Sequence, residues 1–215
     1  MKVLPGGQEY VQQNFPLRSM LARMLWAPLR QVTGGPEWMD NETWDIQAKA
    51  DRPGYTREQM MEMLGNLLED EFKLKLRKDV REGPVYALTV DKSGSKMKVN
   101  DSPEDYEIPT QGGPGGVTVG KRVSMQRLCF LLGQIVQGNE RPVIDKTGLT
   151  GYYDFTLSFL PELPPGFNKE NLPPEMLSRP SIFEAVKQQL GLKLEPQKGP
   201  IEYYVVENVE KPAAN

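Results

Sequence analysis

Three aspartates stand where chemistry would begin: Asp45 in the run Trp44-Asp45-Ile46, Asp154 in Tyr153-Asp154-Phe155, and Asp145 just before Lys146-Thr147-Gly148. Glycoside hydrolysis asks for two carboxyl groups at a suitable separation, one serving as acid and the other as base or nucleophile. A hydrolase of glycosides or esters built on these carboxylates is therefore the catalytic reading open to this chain. The structural alternative is preferred. Asp145 precedes a turn whose own backbone amides it can accept from, as aspartates in turns commonly do, and Asp45 and Asp154 occupy matching positions at the start of a strand, as though fixing its path.

The chain has no histidine. That excludes Ser-His-Asp and Cys-His pairs, the HExxH zinc motif and any imidazole base working near neutral pH. No cofactor and no metal site is expected. Gly115 to Arg122 nearly spells a phosphate-binding loop, but Arg122 replaces the hydroxyl that would hold magnesium, and VTV reads better as a strand entering a helix. Ser93-x-x-Lys96 and Lys146-Thr147-Gly148 match two elements of the penicillin-binding serine enzymes. Ser93, however, lies in a Gly-rich stretch with no helix behind it, so a turn is the better account. Cys129, the single cysteine, sits in the apolar run LCFLL and reads as a buried thiol.

Binding is the other option. Trp38, Trp44, Tyr152 and Tyr153 cluster beside two Gly-rich turns, TGGPEW and KTGLTG. Aromatics there stack on sugar rings or anchor a peptide, or else cover the ends of a sheet as core. The candidate contact residues are Gly34, Gly35, Trp38, Thr147, Gly148, Tyr152 and Tyr153, with a protein, saccharide or small molecule as partner. The chain carries 26 basic against 29 acidic residues, which gives no electrostatic case for nucleic acid. Its longest apolar run falls short of the roughly 18 residues a bilayer span needs, and Met1 to Tyr10 lacks the pattern of a signal peptide.

The elements that must position these residues are four helices, each followed by two strand-like stretches. Leu17, Met20, Leu21, Met24 and Leu25 share one helical face, halted near Pro28. Thr56 and Gln59 form a capping box ahead of Met60, Met63, Leu64, Leu67 and Leu68. A third helix starts at Ser124 and stacks Leu128, Leu131, Leu132, Ile135 and Val136. The fourth opens on Ser181 with Glu184 and ends on Gly191. After helices two and four the pattern LKL, a polar connection, Gly-Pro and a tyrosine-bearing strand occurs twice, with turns expected at Gly83-Pro84 and Gly199-Pro200. The expected fold is α+β, internally duplicated, with four helix–strand–strand units whose helices pack on mainly antiparallel sheet. The halves span 1–90 and 117–215, joined by a surface linker or loop at 91–116. A second Pro-rich stretch, 160–180, reads as extended or turn structure.

The phrases GGPEWMDNETWDIQAKA, LLEDEFKLKLRKDVREGPVYALTV, RPVIDKTGLTGYYDFTLSF and FEAVKQQLGLKLEPQKGPIEYYVVENVEKP, with the closing Asn215, resemble a soil-associated family of unknown function expanded in Acidobacteria. The resemblance runs from about Leu17 to Asn215. It implies an extracytoplasmic interaction or sensing role, because members usually carry an export signal and some are joined to membrane-bound regulatory metallopeptidase domains. It carries no catalytic residues across. Members generally begin with a further strand upstream of the first helix; that strand looks absent here, which suggests a truncated start. Glu71, Arg77 and the pair Glu207-Asn208 replace an arginine, a histidine and an Asp-His pair common in the family.

Overall fold

The computed structural model describes residues 2–3, 8–102, 111–113, 116–136, 141–163, 166 and 172–212. In chain order the elements are β1 (Lys2–Val3), β2 (Glu9–Pro16), α1 (Leu17–Met24), β3 (Val32–Gly34), α2 (Trp38–Asn41), β4 (Thr43–Lys49), α3 (Arg57–Phe72), β5 (Lys75–Val90), β6 (Lys98–Val99), β7 (Gln111–Gly113), β8 (Val117–Ser124), α4 (Met125–Ile135), β9 (Val143–Asp145), β10 (Tyr152–Ser158), α5 (Pro174–Leu177), α6 (Ile182–Ala185) and β11 (Leu192–Asn208). The fold is mixed α+β, and among the described residues its strands form three sheets, ordered β1-β2-β4, β6-β10-β8-β7 and β3-β11-β5-β9.

The described residues fall into two compact units. Those up to Gly83, together with those from Pro200 onward, make unit 1; those from Pro84 to Gly199 make unit 2. The unit boundaries thus cut β5 and β11 at the two Gly-Pro pairs. No turn forms at either: β5 and β11 are continuous strands of 16 and 17 residues. The expectation of turns at Gly83-Pro84 and Gly199-Pro200 is therefore wrong. A Gly-Pro pair reads as a turn locally, but neither pair stops a strand whose hydrogen bonds continue on both sides. Bonds from Glu210 N–H to the Phe72 carbonyl and from Asp91 N–H to the Gly191 carbonyl tie opposite ends of the two strands, so they run antiparallel.

Each unit has its own core. In unit 1, Leu17, Met20 and Leu21 of α1 and Met60, Leu64 and Leu68 of α3 pack with Tyr10, Ile46 and Val206 from the strands. Their i, i+3, i+4 spacing is what gathers these side chains on one helical face. In unit 2, Leu128 and Leu132 of α4 and Ile182, Ala185, Val186 and Leu190 meet Val123, Tyr153, Phe155 and Leu157. The helix capped by Ser181, fourth of those expected from the sequence and opening as α6, is not uniform. After Ile182–Ala185 the chain widens into a π-helical turn, Val186–Leu190, and stops on Gly191 at φ +66°. Both capping boxes form, at Thr56 with Gln59 and at Ser181 with Glu184.

Two further expectations are corrected. A strand does precede the first helix: β2 pairs antiparallel with β4 from Glu9 to Pro16. Its buried positions include Gln12, so polar side chains hide its alternation. The stretch 91–116 is in part structured. Met97 is buried in the unit 2 core, Lys96 N–H bonds to the Leu190 carbonyl, and Lys98–Val99 pair antiparallel with Asp154 and Tyr153.

Candidate functional site

A bulge in one strand and an aspartate from its partner recur in both units. In unit 1 the β2–β4 register shifts between Gln12 and Phe15, and the extra residue Asn14 sits in the left-handed region at φ +51°. Its N–H donates to Asp45 Oδ1 at 2.7 Å. In unit 2 the β8–β10 register shifts between Tyr153 and Phe155, Arg122 sits at φ +48°, and its N–H donates to Asp154 Oδ1 at 2.9 Å. A left-handed residue inside a strand turns its amide out of the ladder, and the carboxylate collects it. In both cases a helix starts two residues after the residue that restores the pairing.

The corners differ in what surrounds the carboxylate. Asp45 is exposed, and its only partner among the described residues is Asn14. Asp154 is 16 % exposed. Its Oδ1 also accepts from Asn100 Nδ2 at 2.7 Å, and Lys121 Nζ lies 3.3 Å from Oδ2. Burial by itself raises the pKa of the Asp154 carboxyl. The donors from Asn100, the Arg122 amide and Lys121 outweigh that burial and leave it below the ordinary aspartate value. The Arg122 guanidinium lies 3.9 Å from the Tyr152 ring centre, and its Nε donates to the Ser102 carbonyl.

Asp145, also in unit 2, takes Thr147 N–H at 2.8 Å and Thr147 Oγ1–H at 2.7 Å on one oxygen, closing a turn at the end of β9. The three aspartates share no partner. Asp45 belongs to unit 1 and the other two to unit 2. Among the described residues no group of three or more Cys, Asp or Glu is placed to hold a metal ion. Ser93, the serine of the penicillin-binding pattern, points back to Asp91 through both its N–H and its hydroxyl. Gly115 of the phosphate-loop pattern lies outside the described residues, while Val117 to Ser124 form β8. Burial raises the pKa of the Cys129 thiol, and Asp145 adds to the effect.

The turn residues divide by unit. Gly34 and Gly35 have φ of +73° and +74°. A Cβ on Gly34 would lie 2.9 Å from the Val206 carbonyl oxygen, and one on Gly35 would strike the Met39 sulfur. Backbone packing closes the Gly34 position to a side chain, and at Gly35 the positive φ does so together with the Met39 contact. Trp38 stacks on Phe72 at 6.3 Å and meets Trp44 edge-on at 6.0 Å, with Trp44 and Phe72 at 5.1 Å. The Lys211 ammonium lies 5.8 Å from the Trp38 ring and 2.6 Å from Glu42. The Trp44 indole nitrogen is buried with no hydrogen-bond partner among the described residues. In unit 2, Gly148 and Gly151 have positive φ, and among the described residues nothing lies within 4 Å of a Cβ at either, so that turn is open on this side. Tyr153 is buried and its hydroxyl donates to the Thr150 carbonyl. Tyr152 is half-buried under Arg122.

Sequence reasoning missed one concavity. In unit 1 a groove of about 140 Å³ is lined by Tyr10, Ala48, Ala50, Met60, Met63 and Leu67, with Lys49 the charged residue at its wall. The signal was the width of the apolar stripe on α3. Met63 and Leu67 lie beside the buried line Met60, Leu64, Leu68 and are only partly covered.

Aspartates that hold backbone amides, aromatics packed against a core and an apolar groove are thus carried by a mixed α+β fold. The chain belongs to a family described as a protein of unknown function (DUF3738), whose model matches residues 18–209. No curated protein and no solved structure matches it.

Proposed function

We propose that the chain is a non-catalytic interaction module that works outside the cytoplasm. The observation that carries this reading is the engagement of its candidate carboxylates. Asp45, Asp145 and Asp154 each hold a backbone N–H at 2.7 to 2.9 Å, and Asp154 has donors on both oxygens. An acid, base or nucleophile needs an oxygen free to meet substrate, which Asp154 lacks; Asp45 and Asp145 are each bonded through Oδ1 to the backbone of a bulge or turn and share no partner with a second carboxylate. The groove of unit 1 supports the same reading, because its apolar lining offers contact area without an acid–base pair. The extracytoplasmic location rests on the family resemblance and its export signals. Contact with a protein or saccharide partner falls on the open turn Thr147–Tyr152, where Gly148 and Gly151 face free space.

The test is a screen of chromogenic esters, phosphates and glycosides against the protein and its Asp145→Ala and Asp154→Ala variants. No turnover above the buffer blank is expected. Turnover that disappears in a variant that is still folded by circular dichroism would establish the hydrolase instead. Cell fractionation of a strain expressing the full-length gene tests the location.

We further infer that the two halves are copies of one block. Support comes from the paired bulges at Asn14 and Arg122, from Val32 lying opposite Tyr204 as Val143 lies opposite Tyr86 in parallel register, and from the left-handed stops at Lys73 and Gly191 after the capping-box helices. A crystal structure in which the β2–β4 pair cannot be superimposed in register on the β8–β10 pair would refute the duplication.

A further inference from the structure

The two corners differ in one respect that points to a partner. In unit 2 the strand carrying the aspartate, β10, is paired on both sides: β8 on one edge and β6 on the other, with Val99 opposite Tyr153 and Lys98 opposite Asp154. The covering segment adds two further bonds. Asn100 N–H donates to the Tyr152 carbonyl, and the Asn100 side chain donates to Asp154. In unit 1 the strand carrying the aspartate, β4, is paired with β2 on one edge, and among the described residues no strand lies along the other. Among the described residues Asp45 receives no side-chain amide of the kind that Asn100 gives Asp154.

An open edge is a template for strand addition unless the sequence protects it. Protection is visible elsewhere in the same unit. The Lys75–Gly83 part of β5 lies beyond the reach of β9, which pairs only Tyr86–Leu88, and six of its nine residues are charged: Lys75, Arg77, Lys78, Asp79, Arg81 and Glu82. β4 has two charged residues in seven, Asp45 and Lys49, and no proline. It is the less guarded of the two edges.

We propose that the free edge of β4 at Trp44–Ile46 is a docking site for an extended segment of a partner protein, added antiparallel, whose Asn or Gln side chain donates to Asp45. The segment Lys98–Asn100 is the template for that chemistry, because it makes these bonds at the matching corner. Affinity comes from main-chain hydrogen bonds and selectivity from the amide on the carboxylate. The inference rests on the reading of the chain as an interaction module and names the class of its partner.

The experiment uses the intact ¹⁵N-labelled protein and a synthetic peptide with the sequence Ser-Lys-Met-Lys-Val-Asn-Asp, taken from positions 95–101. Amide hydrogen exchange at 43–47 is expected to slow at least tenfold with saturating peptide. Replacing the peptide's Asn by Ala should weaken binding at least fivefold, with the protein's own fold untouched. Unchanged exchange at 43–47 at millimolar peptide overturns the proposal. So does slow exchange already present in the free chain that is released by deleting residues 213–215, since the chain's own end would then fill the edge. Either failure leaves the non-catalytic reading standing, because only turnover in the substrate screen removes that.

Discussion

The Asp45 and Asp154 corners solve one local problem with unequal investment. Each strand pair needs an extra residue in a left-handed conformation before its helix, and each uses an aspartate to hold that residue's amide. Around Asp154 the chain then adds the segment 91–100. It passes over the end of the helix that stops at Gly191, lays Lys98–Val99 along β10 and delivers Asn100 to the carboxylate. Among the described residues Asp45 has none of this cover. The same device can therefore be a half-buried, multiply bonded joint or an exposed, singly bonded one, according to whether a neighbouring segment returns to it.

The largest expected effect tests that segment directly. Gly191 ends the fourth helix at φ +66°, and a Cβ there would run into the Gly94 carbonyl oxygen. Gly191→Ala combines left-handed strain with a backbone clash, each costing about 1 to 3 kcal/mol. The loss in urea unfolding should exceed about 3 kcal/mol. A loss under 1 kcal/mol would mean that 91–100 is not seated on the helix end.

Next in size is the pair Asp154→Ala and Asp45→Ala. Removing Asp154 strands the Arg122 backbone amide and the Asn100 side-chain amide in a partly buried site, at about 2 to 4 kcal/mol, whereas removing Asp45 exposes one amide to water at about 1 kcal/mol. Equal losses would break the comparison, because they would show that the Asn100 arm contributes nothing. Acid unfolding sharpens it. The Asp154 carboxyl titrates below the ordinary aspartate value, so its stabilisation is present above about pH 4 and is lost as pH falls through the lowered pKa. Asp154→Asn keeps an acceptor for the Arg122 amide but cannot titrate. Its stability should fall less steeply than that of the parent between pH 4 and pH 2.

Much of this architecture is written locally. The capping boxes at Thr56 and Ser181, the apolar faces of α1, α3 and α4 and the matching aromatic-Asp-apolar triplets each follow from short-range spacing. What resisted reading depends on distant chain. Gly-Pro suggests a turn until the bonds flanking it are known, and β5 and β11 continue through because each has partners on both sides of the pair. β2 hides because Gln12 is buried beside Tyr10. The turn residues split the same way. Gly34 and Gly35 serve close packing against Val206 and Met39, a contact more than 170 residues away in the first case, while Gly148 faces nothing. Composition alone does not separate a glycine needed for approach from one needed for conformation.

Helix ends supply the smallest and most discriminating test. Lys73 ends α3 at φ +50° as Gly191 ends the fourth helix at φ +66°, yet Lys73 is exposed and its ammonium donates to the Asp70 carbonyl at 2.7 Å. Lys73→Gly removes left-handed strain of about 1 kcal/mol but frees the unfolded chain and forfeits an exposed hydrogen bond. The net should be a gain of a few tenths of a kcal/mol, read from the urea midpoint at unchanged slope. The two exchanges at the helix ends then have opposite signs: adding a methyl group at Gly191 is severe, and deleting a side chain at Lys73 is mildly stabilising. A loss above about 1 kcal/mol at Lys73 would mean that the ammonium cap, not freedom from a covering segment, is what permits a lysine there, and the difference between the corners would then lie in the side chains themselves.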